Sequence, residues 1–413
     1  MVSLGRGLGD DGRSLVSLDP HALRAAATST TGLDDFGDHW WEEPFERLCS
    51  ALDGEARLHL PGRIRTRGEL QLILQNRLRL VDAWTRHPAI DAQPVVAPLV
   101  VTGLGRSGTT LLHELLSCDP DNRPPLLWEL LHSVPPDGTE FADDATSYER
   151  WASHTAALCD DEIRLMDEMV PAFSTMHENG GGLPTECIFL FAHQFSSDVY
   201  TGLYNVGDYT VWRSGQDQAP VYDWHRRMLG TLQWVRPDPT VRWVLKAPSH
   251  LSALPLLFAT YPDARVVITH RDPLRVVGSL ADLMATLHWM HSDHVDYGVL
   301  VEFMAMGLEM QMDAVTAERD RGIIPDDRIS DVVYHELVAD PAGTVERLYG
   351  DWGLPVSDVF RSNLDSYVGA RHDGRDQAGP RHDYSFADTG LDLDTHRALV
   401  APYQERFGVP SEV

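Results

Sequence analysis

Apolar positions change their spacing near residue 95. Between Asp19 and about His87 they recur at helical intervals. Trp40, Trp41, Phe45 and Leu48 fit one buried face. Leu70, Leu72, Ile73, Leu74, Leu78 and Leu80 fit another, within an amphipathic run from Arg67 to Trp84. Pro20 after Asp19 marks a helix start. Beyond residue 95 the apolar residues gather in short β-branched runs: Leu99 to Val101, VRWVLK at 241–246, ARVVITH at 264–270 and the run from Ile329 to Tyr334. Strands buried on both faces look like this. Helical patterns lie between them, so the order predicts parallel β-α-β units and an α/β fold. A helical N-terminal extension, residues 1–95, would precede an α/β domain, residues 96–413.

The stretch PLVVTGLGRSGTTLLHELLSC, Pro98 to Cys118, reads as strand, tight loop and helix. Gly103, Gly105 and Gly108 permit a sharp turn and a close approach of backbone to ligand. Thr109 and Thr110 open the helix, whose free N–H groups and dipole make an anion site. Arg106 adds a planar guanidinium suited to phosphate or sulfate. Gly103, Gly108 and Thr110 keep the Walker A spacing, but Thr109 stands in place of the lysine. The loop therefore reads as phosphate-binding without NTP hydrolysis, in a P-loop NTPase-like parallel sheet flanked by helices.

Charge sharpens that picture. The formal net charge is 34 − 62 = −28, which argues against nucleic-acid or anionic-membrane partners. An anionic ligand must then be drawn in by a local group of cations. Cys49, Cys118, Cys159 and Cys187 are widely spaced and show no C-x-x-C, so free thiols in a reducing cytoplasm are expected. No signal peptide or membrane-spanning apolar run is evident.

Other stretches suggest chemistry. Glu129 interrupts the apolar run LLWELL and would be shifted by desolvation or by a cationic partner, either of which suits a general base. Its plainer reading is a solvent-facing carboxylate. Lys246 ends a strand, where open α/β sheets hold ligands. Residues 140–170 look like an exposed helical pair, and Gly180 to Gly182 like a loop that either closes over a substrate or simply connects. Tyr200, Tyr204, Tyr209, Trp212, Tyr222 and Trp224 fit either core packing or an apolar acceptor pocket. His288, His291 and His294 recur every third residue, but no carboxylate or cysteine pattern completes a metal site there. The stretch from Gly369 to Gly379 reads as a mobile loop.

Taken together, the motifs resemble the PAPS-dependent sulfotransferases. PLVVTGLGRSGTTLLHELL is similar to their 5′-phosphosulfate loop, and HRDPLRVVGS, with Arg271 and Ser279, to their 3′-phosphate motif. WVLKAPSHL, VVYHELVADP and RHDYSFADTGL extend the likeness over most of residues 98–407, and TGLDDFGDHWWEEPFERL resembles the helical leader of a bacterial branch. The resemblance implies transfer of a sulfuryl group from 3′-phosphoadenosine 5′-phosphosulfate (PAPS) to a hydroxyl, releasing PAP. It assigns Arg106, Ser107, Gly108, Thr109 and Thr110 to the 5′-phosphosulfate, and Arg271 and Ser279 to the 3′-phosphate. It matches Tyr334 and Arg381 to positions near the cofactor. Glu129 matches the base of the protein-tyrosine sulfotransferase branch and Lys246 a lysine assisting transfer, with Arg106 as a further cation. His250 or His132 would replace Glu129 in the many relatives that use histidine. A sulfuryl group carries less charge than a γ-phosphoryl group, so no metal is expected in the transfer. The acceptor is expected to be a small, partly apolar hydroxyl compound, and the helical arm to pack in cis or across a homodimer. A P-loop kinase and a non-catalytic nucleotide-binding protein are the alternatives.

Overall fold

The computed structural model describes residues 11–135, 145–176, 179–237, 241–377 and 385–413. Three N-terminal helices, α1 (Pro20–Thr31), α2 (Glu42–Asp53) and α3 (Leu60–Arg86), come first. Asp19 caps α1 by accepting from the Ala22 amide at 2.8 Å, with Pro20 in the first turn. Five parallel strands follow: β1 (Leu99–Gly103), β2 (Asn122–Arg123), β3 (Arg242–Lys246), β4 (Arg265–His270) and β5 (Ile329–Val333). Their spatial order is β2-β3-β1-β4-β5. β1 is central, and the strand order reverses beside it. Ligands gather at such switch points, outside the carboxyl ends of the strands.

The β-branched runs are buried because alternate residues face opposite layers. Val100, Leu245, Val266 and Ile268 join a core with α6 (Ala219–Val235) and α7 (Pro273–Trp289), named after α4 (Thr109–Ser117) and α5 (Leu127–Leu131) in the chain. Leu99, Val101, Val244 and Val267 face the other way, against Leu111, Leu112, Leu115 and Leu116 of α4. Near the C-terminus come α8 (Tyr334–Ala339) and α9 (Leu393–Phe407). Among the described residues, no helix is long and apolar enough to cross a membrane.

The helical arm packs in cis. Leu70, Leu74 and Leu78 of α3 meet Phe45, Leu48, Phe195, Tyr200, Tyr204 and Tyr209, while Leu80, Val81 and Trp84 enter the main core beside Trp224. Arg77 is fully buried between the Trp41 and Trp224 rings, 4.7 and 4.1 Å from their centroids, and donates to the carbonyls of Phe36 and His193. The aromatic residues singled out in the sequence are thus mostly core, which decides against their reading as an acceptor pocket.

Other local expectations change. The polar residues Asn122 and Arg123 pair with Arg242 and Trp243 as a short edge strand that no apolar run announces. Residues 145–169 form one helix instead of a pair. Helix Asp358–Gln377 runs through most of the stretch expected to be a loop; residues 378–384, with Arg381, lie outside the described residues. His288, His291 and His294 diverge, bonding to the Thr201 carbonyl, the Leu287 carbonyl and Arg57 respectively.

Candidate active site

The loop between β1 and α4 owes its shape to three backbone positions. Gly103 has φ 147° and lies so close to β4 that a Cβ there would stand 2.4 Å from the Thr269 carbonyl. Arg106 itself adopts a left-handed φ of 65°, an uncommon state that marks functional turns. Gly108, φ 97°, caps α4, and a Cβ there would come within 2.9 Å of the Tyr334 ring. No side chain caps α4, so its first-turn amides keep the anion-binding character of a free helix start. Ser107 is fully buried, and its hydroxyl is shared between the Leu104 carbonyl at 2.5 Å and Thr269 Oγ1 at 2.6 Å. Its side chain thus holds the loop; Thr109 is buried as well.

The cation missing from the loop arrives from the next strand. Val101 of β1 is in register with Lys246 of β3. Lys246 Nζ donates to Thr110 Oγ1 at 3.0 Å and to Glu186 Oε1 at 2.8 Å. The lysine side chain is 2 % exposed and Glu186 17 %. The Cys187 amide donates to the Lys246 carbonyl at 2.8 Å, which ties the Glu186 segment to the strand end. His113 lies behind, with Nε2 at 3.1 Å from the Val244 carbonyl; burial first, then the charge of Lys246, pushes it down to about 3.

Glu186 was missed from sequence because it sits 60 residues before its partner. Glu129, the expected base, has its cationic partner elsewhere. It is 2 % exposed; Oε1 accepts from Arg123 at 2.8 Å and Oε2 from the Leu126 amide at 3.0 Å, which caps α5. Arg123 is anchored in turn by the Arg236 and Leu232 carbonyls and over the Trp243 ring. Neither of the alternative histidines bonds to the loop among the described contacts. His250 is fully buried with Nδ1 on Tyr222, and burial depresses the pKa of His132 at the end of α5.

A second group of cations adjoins the loop. Arg106 Nε donates to Ser279 Oγ at 3.1 Å, and Arg106 Nη1 to the Met176 carbonyl at 3.0 Å. Arg271 Nη1 donates to the Arg106 carbonyl at 3.2 Å, and its guanidinium lies 3.9 Å from the centroid of the Tyr334 ring. The same guanidinium makes a two-pronged ion pair with Glu412, at 2.7 to 3.1 Å. Asp272 caps α7 and accepts from Arg397 at 2.9 and 3.1 Å, fixing the segment that carries Arg271 and Ser279. Met176 itself packs on a buried apolar cluster of Met166, Phe173, Leu283, Leu287 and Met290. Arg106, Ser279, Arg271 and Tyr334 are therefore brought together with the loop.

Comparison with known proteins agrees with this geometry. The model of the sulfotransferase family matches residues 98–358. The omega-hydroxy-beta-dihydromenaquinone-9 sulfotransferase Stf3 of Mycobacterium bovis is 25% identical over 292 residues, 67% of this chain and 68% of that protein. The crystal structure of sulfotransferase STF1 from Mycobacterium tuberculosis superposes with a TM-score of 0.78 and 31% identity, over 93% of this chain and 98% of that one. Sulfotransferase STF9 from Mycobacterium avium shares the fold, with a TM-score of 0.79 and 23% identity over 95% of this chain and 97% of that one.

Proposed function

The chain belongs to the sulfotransferase family and transfers a sulfuryl group; from that premise we propose that it takes the group from PAPS to a hydroxyl on a partly apolar acceptor. The carrying observation is the meeting of Lys246 Nζ with Thr110 at the uncapped start of α4, next to the Arg106, Ser279 and Arg271 set. The α4 amides and Arg106 would hold the 5′-phosphosulfate, and Arg271 and Ser279 the 3′-phosphate. Gly108 leaves no space for a side chain beside Tyr334, so backbone can meet the donor directly.

Sulfuryl transfer resembles phosphoryl transfer, with a loose transition state and charge growing on the departing oxygen. Lys246 and the loop amides stabilise that charge. A base must take the acceptor proton. We assign this to Glu186, which touches Lys246, and give Glu129 the structural task of bracing Arg123 and α5. A partly apolar acceptor is supported by the relative Stf3, named as a sulfotransferase of omega-hydroxy-beta-dihydromenaquinone-9. The free thiols fit a cytoplasmic setting.

The test of the base is a pair of variants, each assayed for PAP release with a panel of apolar alcohols. Glu186→Gln should keep PAP affinity and melting temperature and lose turnover by about 10²-fold or more. Glu129→Gln should melt lower while retaining turnover. The reverse pattern would return the base to Glu129.

A further inference from the structure

Cys187, His225 and His250 form a second cluster, joined to the Lys246 strand end by the Cys187 amide. All three are fully buried, and their donor atoms lie within 4.8 Å of one another. They come from three segments: the residue after Glu186, the middle of α6, and the 3-10 turn after β3. Each imidazole has one nitrogen engaged: His225 Nδ1 is 2.6 Å from the Tyr261 hydroxyl, and His250 Nδ1 2.8 Å from that of Tyr222. The other nitrogen, Nε2 in both, is buried without a hydrogen-bond partner.

Buried polar atoms are ordinarily satisfied. Two orphaned nitrogens beside a thiol therefore call for a common partner. With Nδ1–H donating to the phenol oxygen, Nε2 presents its lone pair. An oxygen holding the far nitrogen is the usual outer support of a metal-bound histidine. We infer that Cys187, His225 and His250 bind a single borderline-to-soft transition-metal ion, Zn²⁺ or Cu⁺, through one thiolate sulfur and two imidazole nitrogens. Sulfur and imidazole donors disfavour Mg²⁺ and Ca²⁺, which take oxygen. Zn²⁺ would complete its tetrahedron with a fourth ligand such as water, whereas Cu⁺ with one thiolate would be neutral and satisfied by three donors. On binding, the Cys187 thiol gives its proton to solvent and the sulfur forms the metal bond, so uptake releases one proton per ion.

The ion would stand outside the transfer chemistry. It would tie the Glu186 segment, α6 and the turn after Lys246 together, making Cys187, His225 and His250 positioning residues for the Glu186–Lys246 pair. The assignment rests on these donors alone and holds whatever the sulfuryl donor and acceptor prove to be.

The test titrates the reduced, metal-stripped full chain with Co²⁺ as a spectroscopic probe for zinc, and with Cu⁺ against a coloured chelator. One equivalent of Co²⁺ should produce a thiolate-to-cobalt charge-transfer band with tetrahedral d–d bands, bleached by one equivalent of Zn²⁺. Uptake of one Cu⁺ from the chelator without such a cobalt band would assign the cuprous ion. The signal should vanish in Cys187→Ala and survive in Cys49→Ala, Cys118→Ala and Cys159→Ala. If Cys187→Ala does not fold, the three other variants still identify the thiol by keeping the signal. Failure of the wild-type chain to take up either ion, or a signal that persists in Cys187→Ala, would overturn the site.

Discussion

Lys246 carries the largest share of the proposed chemistry. Lys246→Met keeps much of the side chain's bulk and removes the charge aimed at the departing oxygen. It should lower kcat by about 10²–10³-fold with PAP affinity little changed; steady-state kinetics beside calorimetry would separate the two. Arg271 presents a different balance. Its guanidinium is held by the Glu412 carboxylate, which is 28 % exposed, so a phosphate must compete with that ion pair. Partly exposed pairs of this kind contribute about 0.2–1 kcal/mol. Glu412→Gln should therefore tighten PAP binding by about two- to fivefold, and weaker binding in that variant would show that Glu412 helps to hold the site. Lys246 was legible in the sequence because it ends an apolar strand, a position with a fixed geometric meaning. Glu186 was not, because its pairing depends on a long-range contact. The cationic partner of Glu129, Arg123, was not legible because it sits in a segment too short and polar to read as a strand.

Among the elements, the β1–α4 turn is tightly constrained by its neighbours. Gly108 combines a left-handed backbone with a Tyr334 ring that leaves no room for a methyl group. A non-glycine residue in that conformation costs about 1–2 kcal/mol before any clash. Gly108→Ala should thus weaken PAP binding by at least about tenfold, with calorimetry as the measure; unchanged affinity would mean that the turn does not need its present shape. The strands and the turn were readable because β-branched runs and glycine spacing follow local rules. The short edge strand and the helix through residues 369–377 were not, since their fate is set by what they pack on: β3 for the strand, and for the helix the Glu114 carboxylate, which receives Arg371 at 3.1 Å.

The whole molecule buries neutral histidines in several layers, and this shapes its response to acid. Burial first of all pushes His113 down to about 3, and His193 and His291 to about 4. In the unfolded chain these groups take up protons near pH 6.5. Between that value and their folded pKa values the unfolded state binds more protons, so stability falls as pH falls, by about 1.4 kcal/mol per pH unit for each group. Their contribution is complete above about pH 6.5. The melting temperature should be level above pH 7 and drop steeply between about pH 6 and pH 4; a level profile across that interval would contradict the buried, neutral state of these side chains. The net charge of −28 sets a second global demand, because the proposed doubly phosphorylated nucleotide would have to enter against the overall field, toward Arg106, Lys246 and Arg271. Calorimetric titration with PAP, beside 5′-AMP, which lacks only the 3′-phosphate, is the most direct test of the proposed site. A PAPS-using enzyme should bind PAP at least about a hundredfold more tightly than 5′-AMP, a preference of roughly 2.7 kcal/mol, and Arg271→Ala should erase most of that difference. Equal affinity for the two nucleotides, or a preference untouched by Arg271→Ala, would contradict the assignment of the loop and Arg271 as a PAPS site.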